Sequence, residues 1–443
     1  MKSTVYQFLK ERCDMAKPLL IGLSGGPDSL ALLYTLMEIK DLLPIKLGIA
    51  HVDHSWRECS AEEATKLELL AHKLSLPFHL KVLNPKILTG NLEEACRLER
   101  LAFFRELSTE NGYQAVLLGH HADDQTETVL KKIFEGSELP FLQGMHQETY
   151  INGVKIWRPL LNLRKFEMVR YLQNRSLIPF EDKTNEDPQF LRARFRKTIL
   201  PLLSNHFGKE IFNCLNRIGR DSAELTLYLD EQIKTYIDHI VFSPFGISID
   251  LSQKRPTSAF EFRHLLRRFC DIKNISFSRA LLDKLVELLE SGVANKEIRT
   301  KDTSMQIDRH RLFLIHNSIP VMEKELEIVP GIFIYGGWTL EIRAVTYSKE
   351  LPTTDWTSAW KGEVQVVLPE GKYRLLPPKA NYLYKGSGEL GKWWNNAKVP
   401  AFLRNFLPVV SNGTDIVHEF LTGRRKDFIQ PGTKAISISF HYK

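Results

Sequence analysis

Short apolar runs and longer stretches with apolar residues three and four apart take turns along the first two hundred residues. The runs lie at 19–24 (LLIGLS), 46–52 (KLGIAHV), 77–83 (PFHLKVL) and 115–119 (AVLLG). The helix-like stretches lie at 28–39, 60–75, 91–109 and 123–135. Ser60 with Glu63 has the spacing of a capping box, and Asn91 with Glu94 gives a second helix-start signal. Strand and helix in alternation predict an α/β domain over 1–205: a parallel sheet doubly wound by helices, with its ligand at the carboxyl ends of the strands.

The pattern then changes. EFRHLLRRFCDIKN and FSRALLDKLVELLESG carry helical periodicity with little strand signal, which predicts a helical domain over 206–320. From 321 to 443, Pro330-Gly331, Gly336-Gly337 and Pro369-Glu370-Gly371 punctuate short β-branched and aromatic runs, as expected of a small mixed α/β domain. A chain of 443 residues is long enough for two or three domains. No apolar stretch reaches membrane-spanning length, and the opening MKSTVYQFLKERCDMAK reads as an amphipathic polar helix, so a cytoplasmic location is expected. Five cysteines, scattered and never in CxxC spacing, predict neither a disulfide framework nor a metal cluster. A net charge of +7 suits a polyanionic partner such as RNA.

Three polar constellations fall at the predicted strand ends. Ser24, Gly25, Gly26, Pro27, Asp28 and Ser29 form a glycine-rich turn between a buried strand and a helix start, where backbone N–H groups and the helix dipole favour a phosphate. The turn itself matches neither GxxxxGK[ST] nor GxGxxG, so it is a pyrophosphate cradle of another kind. After the second strand come His51, Asp53, His54, Trp56 and Arg57. After the fourth come Gly119, His120, His121, Asp123, Asp124 and Glu127, a set able to bind Mg²⁺, orient an amine, act as acid and base, or cap a helix. Adjacent residues on a helix start point about 100° apart, so these groups cannot all face one ion.

The SGGPDS turn resembles the signature of the PP-loop ATP pyrophosphatases. With HVDHSWR at 51–57, CRLERLAFF at 96–104, HHADDQTET at 120–128, Arg158-Pro159-Leu160-Leu161 through Arg164 and Glu167, and EDKTNEDPQFLRARFRKTILPLL at 181–203, the order of motifs resembles that of the tRNA(Ile)-lysidine synthetases. GELGKWWNNAKVPAFLRNFLPVV is similar to that family's C-terminal segment. Asp53, Leu101, Ala193 and Glu135 depart from the family's pattern.

The resemblance implies an adenine nucleotide α-hydrolase-like PP-loop fold. It also implies a ligase that adenylates C2 of the wobble cytidine in CAU-anticodon tRNA(Ile) and then replaces AMP with the ε-amine of L-lysine, using ATP and Mg²⁺. Ser24 to Ser29, His51, Asp53, Arg97, Gly119 and His120 are then expected around the nucleotide, with Asp28 as metal ligand. Asp28, Arg100, His121 and Asp124 are the expected catalytic set. Lysine or tRNA would meet Asp53, His54, Arg57, Asp123, Asp124, Glu127, Arg158, Arg192 and Arg196. Asp124 is the first choice to accept the amine's proton. Arg97, Arg100, Arg192 and Arg196 suit anion clamping, against a solvated helix face for the first two. In the tail, Lys392, Trp393, Trp394, Lys398, Arg404, Arg424, Arg425 and Lys426 suit RNA contact, against a core role for both tryptophans. A homodimer is compatible with this reading. The rival readings are a PP-loop tRNA thiolase, disfavoured by the cysteine spacing, and a silent RNA-binding module.

Overall fold

The computed structural model describes residues 1–55, 60–84, 92–180, 191–300, 303–315, 319–347, 354–384, 386, 388–423 and 429–442, the side chain of Glu93 excepted. Trp56, Arg57, Cys59, Asn91, the 181–190 stretch and Arg424 to Lys426 lie outside the described residues. The chain divides into two compact units, Met1–Tyr228 and Leu229–Lys443.

In the first unit the order is α1 (Lys2–Arg12), β1 (Leu19–Gly22), α2 (Pro27–Lys40), β2 (Leu47–Asp53), α3 (Ser60–Lys73), β3 (Phe78–Val82), α4 (Leu92–Asn111), β4 (Val116–Leu117) and α5 (Ala122–Phe134). A hairpin, β5 (Glu148–Ile151) and β6 (Val154–Trp157), follows, then α6 (Lys165–Gln173), α7 (Leu191–Arg194), α8 (Leu200–Phe207) and the start of α9 (Ile211–Ile237), whose last residues belong to the second unit. The sheet order is β3-β2-β1-β4-β6-β5, parallel from β3 to β6 with β5 antiparallel at the edge. Consecutive connections leave β1 in opposite directions, so β1 and β4 bracket the topological switch point where such sheets bind ligands.

One core forms around β1, β2 and the buried length of α2, covered by Val5, Phe8 and Leu9 of α1 and Met168, Tyr171 and Leu172 of α6. The opposite face of the sheet packs on Leu101, Phe103, Phe104 and Leu107 of α4. Leu101, a departure from the family's tyrosine, is thus a core residue. The helices that the apolar spacing predicts over 28–39, 60–75, 91–109 and 123–135 coincide with α2, α3, α4 and α5 to within two residues at each end.

The second unit opens with an antiparallel sheet among the described residues, in the order β7 (Val241–Ser243), β8 (Gly246–Asp250), β11 (Arg311–Ile315), β10 (Ser304–Asp308), β9 (Lys296–Arg299). Helices α10 (Ala259–Asp271) and α11 (Arg279–Ser291) pack on it through Phe262, Leu265, Phe269, Leu282, Leu285 and Leu289. This corrects the expectation of a purely helical 206–320 segment: the helices are there, but they cover a sheet. Beyond Ile315 lie two more sheets. A four-stranded one centres on Trp338–Thr346 and Lys434–His441, and a six-stranded one includes Val409–Ser411 and Ile416–Glu419.

Candidate active site

The turn from β1 to α2 is built by its glycines. Gly25 has φ +83°, in the left-handed region, and Gly26 is the N-cap of α2 with Pro27 fixing the first helical residue. Ser29 Oγ accepts from the Ser24 N–H at 3.2 Å and donates to the Gly26 carbonyl at 3.2 Å, which braces the turn from inside. Across the switch point Gly119 lies so close that a Cβ there would stand 2.9 Å from the Asp28 carbonyl. Two motifs ninety residues apart therefore share one wall, and only glycine allows the approach.

Asp28 sits in the first turn of α2. Its Oδ1 is buried and has no hydrogen-bond partner, while Oδ2 lies 3.6 Å from His121 Nε2. A carboxylate oxygen left in that condition suits a cation. Among the described residues no three His, Cys, Asp or Glu side chains are grouped to hold a metal by themselves. A Mg²⁺ held by Asp28 would thus take its other ligands from phosphate and water, the usual arrangement at a nucleotide.

His121 is the N-cap of α5, almost fully buried, and three carboxylates surround it: Asp28 at 3.6 Å, Asp123 at 3.6 Å and Asp124 at 3.5 Å. Burial alone would discharge the ring, but the hydrogen bond to Asp28 and the charges of Asp124 and Asp123 outweigh it and raise its pKa. A charged ring gives up the long 3.4 Å bond that its Nδ1 accepts from the Asp124 N–H. The other half of the cap, the His121 N–H donating to Asp124 Oδ2 at 3.0 Å, survives in either state. His120 behaves oppositely. Burial, reinforced by Arg158, Arg100 and Arg192, pushes it down to about 4 despite Asp124. Arg158 Nε donates to its Nδ1 at 3.2 Å, which places the ring proton on Nε2.

Several expected substrate contacts are instead engaged with the protein. Arg196, carried on a π-helical stretch (Phe195–Ile199), binds Asp124 Oδ1 at 2.6 Å and both oxygens of the buried Glu127. Its Nε and Nη2 donors thus serve two carboxylates of the protein, where the sequence leads one to expect an anion clamp. Glu127 is correspondingly turned away from solvent, and burial raises its pKa against the pull of Arg196. Asp123 accepts from Arg164 Nε and from the Lys165 N–H at 2.8 Å, tying α5 to α6. Arg158 is buried, with its Nη1 donating to His146 O and Thr149 Oγ1. All four side chains, Arg196, Glu127, Asp123 and Arg158, are tied to neighbouring protein groups. Asp124 keeps both oxygens engaged, yet a carboxylate has about four acceptor positions and can take a further donor.

A cleft opens beside the turn. Leu23, Ala50, Val52, Phe104 and Leu118 give it apolar walls, and His51, Asp53, His54, Glu63 and Arg100 give it polar groups. His51 Nδ1 donates to Leu23 O at 2.8 Å, and burial lowers its pKa, leaving a neutral ring with Nε2 as acceptor. Asp53, buried, accepts from the Ser55 N–H at 2.8 Å. Arg97 and Arg100 part company: Arg97 pairs with Glu94 at 2.8 Å on the exposed face, while Arg100 lines the cleft. Burial and the like charges of Arg97 and Arg192 lower the Arg100 pKa, and no carboxylate among the described residues bonds to it. An anion would relieve that crowding. Glu63, Phe104 and Leu118 are absent from the sequence-based site, although the first turn of α3 must lie near the end of β2 in a doubly wound sheet.

In the tail, Trp394 Nε1 and Trp393 Nε1 donate to the two oxygens of the buried Glu419 at 2.9 and 3.1 Å, with the Trp394 indole in the core and that of Trp393 half-buried against it. Lys392 is exposed beside Glu389, and Arg404 bonds Asn395 and the Val399 carbonyl.

Residues 1–203 match the model of the PP-loop domain. Over 440 residues the chain is 36% identical to a tRNA(Ile)-lysidine synthase of Protochlamydia amoebophila, covering 99% of this chain and 96% of that one. A tRNA(Ile)-lysidine synthase of Chlamydia muridarum is 36% identical over 65% of this chain and 89% of its own. Among solved structures, a U34-tRNA thiolase from Methanococcus maripaludis matches 51% of this chain and 77% of its own with a TM-score of 0.41 at 21% identity.

Proposed function

The chain belongs to the tRNA(Ile)-lysidine synthases, and from that premise we propose how its residues carry out lysidine formation. The enzyme consumes ATP to modify the wobble cytidine of a CAU-anticodon isoleucine tRNA. The observation that carries the reading is the meeting, at one switch point, of a glycine turn, a half-apolar cleft and an unpartnered carboxylate oxygen on Asp28.

The adenosine occupies the cleft between β1, β2 and α4, with His51 Nε2 as an acceptor for a base or ribose donor. The phosphates lie across the turn at Ser24 to Ser29, where N–H groups and the α2 dipole face them. Asp28 would hold Mg²⁺, and the ion would supply positive charge beside the pyrophosphate leaving group. Arg100, and Arg192 on the exposed side, face the same anionic region. In the first step the cytidine O2 attacks the α-phosphorus, and the bond to pyrophosphate breaks. In the second, the lysine ε-amine attacks C2, AMP leaves with the oxygen, and the amine's proton passes to a carboxylate. A free ammonium titrates near 10.4, so an adjacent acceptor is required at neutral pH, and Asp124 is assigned that role. His121 sits behind Asp28 and Asp124 and fixes both.

Purified protein with ATP, Mg²⁺ and labelled lysine should label a CAU-anticodon isoleucine tRNA transcript and leave methionine tRNA unlabelled. Asp28→Asn should abolish pyrophosphate release. Asp124→Asn should spare pyrophosphate release while cutting lysine transfer by tenfold or more; equal loss of both steps removes the amine assignment. Pyrophosphate release without lysine label points to a different nucleophile, and no ATP turnover points to a silent RNA-binding module.

A further inference from the structure

The carbonyl of Gly25 is not free. It accepts a hydrogen bond of 3.0 Å from the Phe180 N–H, donated by the segment that follows α6. The Phe180 ring fills the space that a Cβ on Gly25 would need, and with Leu177 it packs against the α2 core. In a planar trans peptide the carbonyl of residue 25 and the N–H of residue 26 point in opposite directions. Pinning the Gly25 oxygen toward Phe180 therefore aims the Gly26 N–H away from it. The protein partner of that N–H is Ser24 Oγ at 3.4 Å, a long contact easily exchanged for a better acceptor.

We propose that Phe180 is a positioning residue for the nucleotide, strapping the Gly25-Gly26 peptide so that an N–H rather than a carbonyl faces the polyphosphate. The proposal rests on reading the turn as the triphosphate site. A Gly-Gly peptide left to itself samples both hands of φ, and flipping it would turn a carbonyl oxygen toward the phosphates. Every molecule in the flipped state is lost to binding, so affinity falls with the competent fraction. The ring blocks the flip by volume, and the N–H holds the peptide by its hydrogen bond.

The test is calorimetric titration of the full chain with a methylene-bridged ATP analogue and Mg²⁺. Phe180→Pro, which removes the donor, should weaken binding roughly tenfold, and Phe180→Ala severalfold, with Phe180→Leu restoring most of the loss. The KM for lysine should stay at the wild-type value in all three. Analogue affinity within twofold of wild type in Phe180→Pro overturns the proposal. So does a loss shared equally by ATP and lysine together with a falling melting temperature. Should Phe180→Pro not fold, Phe180→Ala decides alone, and unchanged affinity there overturns it. Wild-type protein that fails to bind the analogue would instead remove the assignment of the turn.

Discussion

His120 and His121 are chain neighbours with opposite titration, and the difference has consequences for stability. His120 is held near 4 by burial and by adjacent arginines, so the folded state prefers its neutral form. A histidine lowered below its unfolded value contributes stability that is complete above about 6.5 and is lost as pH falls toward 4. His121, raised, has the reverse sign: its contribution is complete below about 6.5 and fades as pH rises through its folded value. Unfolding free energy should therefore drop by about 3 kcal/mol at most between pH 6.5 and 4 on account of His120. His120→Asn, which keeps an acceptor for Arg158 Nε but cannot titrate, should flatten that slope in urea unfolding; an unchanged slope would assign the acid sensitivity elsewhere. Arg196→Ala leaves Asp124 and the buried Glu127 without their cation and should cost about 3–5 kcal/mol by the same measurement. A cost under 1 kcal/mol would mean that Glu127 is already protonated in the wild type.

At the scale of elements, the site depends on how closely β4 and α2 approach. Gly119→Ala puts a methyl group against the Asp28 carbonyl and the Ser29 N–H, so the two elements must separate. Expected results are a loss of stability of about 1–3 kcal/mol and weaker nucleotide binding, with chemical denaturation and analogue titration as the readouts. Wild-type values for both would show that α2 moves at no cost. Elements of this kind were readable beforehand because α2, β1 and β2 combine strong periodicity with unambiguous breaks such as Gly25-Gly26. The hairpin β10–β11 was not, since its turn residues Arg309 and His310 adopt φ +48° and +70° where Asn-Gly would have announced it. His310 is held there by tertiary contacts, its Nδ1 bonding the Leu289 carbonyl. The placement of Asp28 was legible because it follows a glycine turn at a strand-to-helix junction, where the structure leaves its Oδ1 buried without a partner. Chemistry was not legible where acid and base residues pair across elements: nothing local to Arg196 tells that it answers Asp124 and Glu127 seventy residues away, nor that Phe180 reaches Gly25.

At the scale of the whole molecule, the apolar cores are partitioned. Among the described residues, the clusters around α2 and α4 draw on residues before Tyr228, whereas those around α10 and around Trp338, Trp360 and Phe406 draw on residues after Leu229. Cooperativity follows shared burial, so each unit should unfold as its own two-state transition. The nucleotide reading makes the transitions separable, because a ligand that binds one native unit stabilises that unit by RT ln(1 + [L]/Kd). Saturation with an ATP analogue at a hundredfold over Kd contributes about 2.7 kcal/mol, or roughly 5–10 °C for a unit of this size. Calorimetry should therefore show two endotherms, of which nucleotide with Mg²⁺ moves one. The same shift should vanish in Asp28→Asn while the second endotherm stays in place. A single endotherm moved as a whole would mean that the units are energetically coupled, and two endotherms moved together would place nucleotide contacts in both.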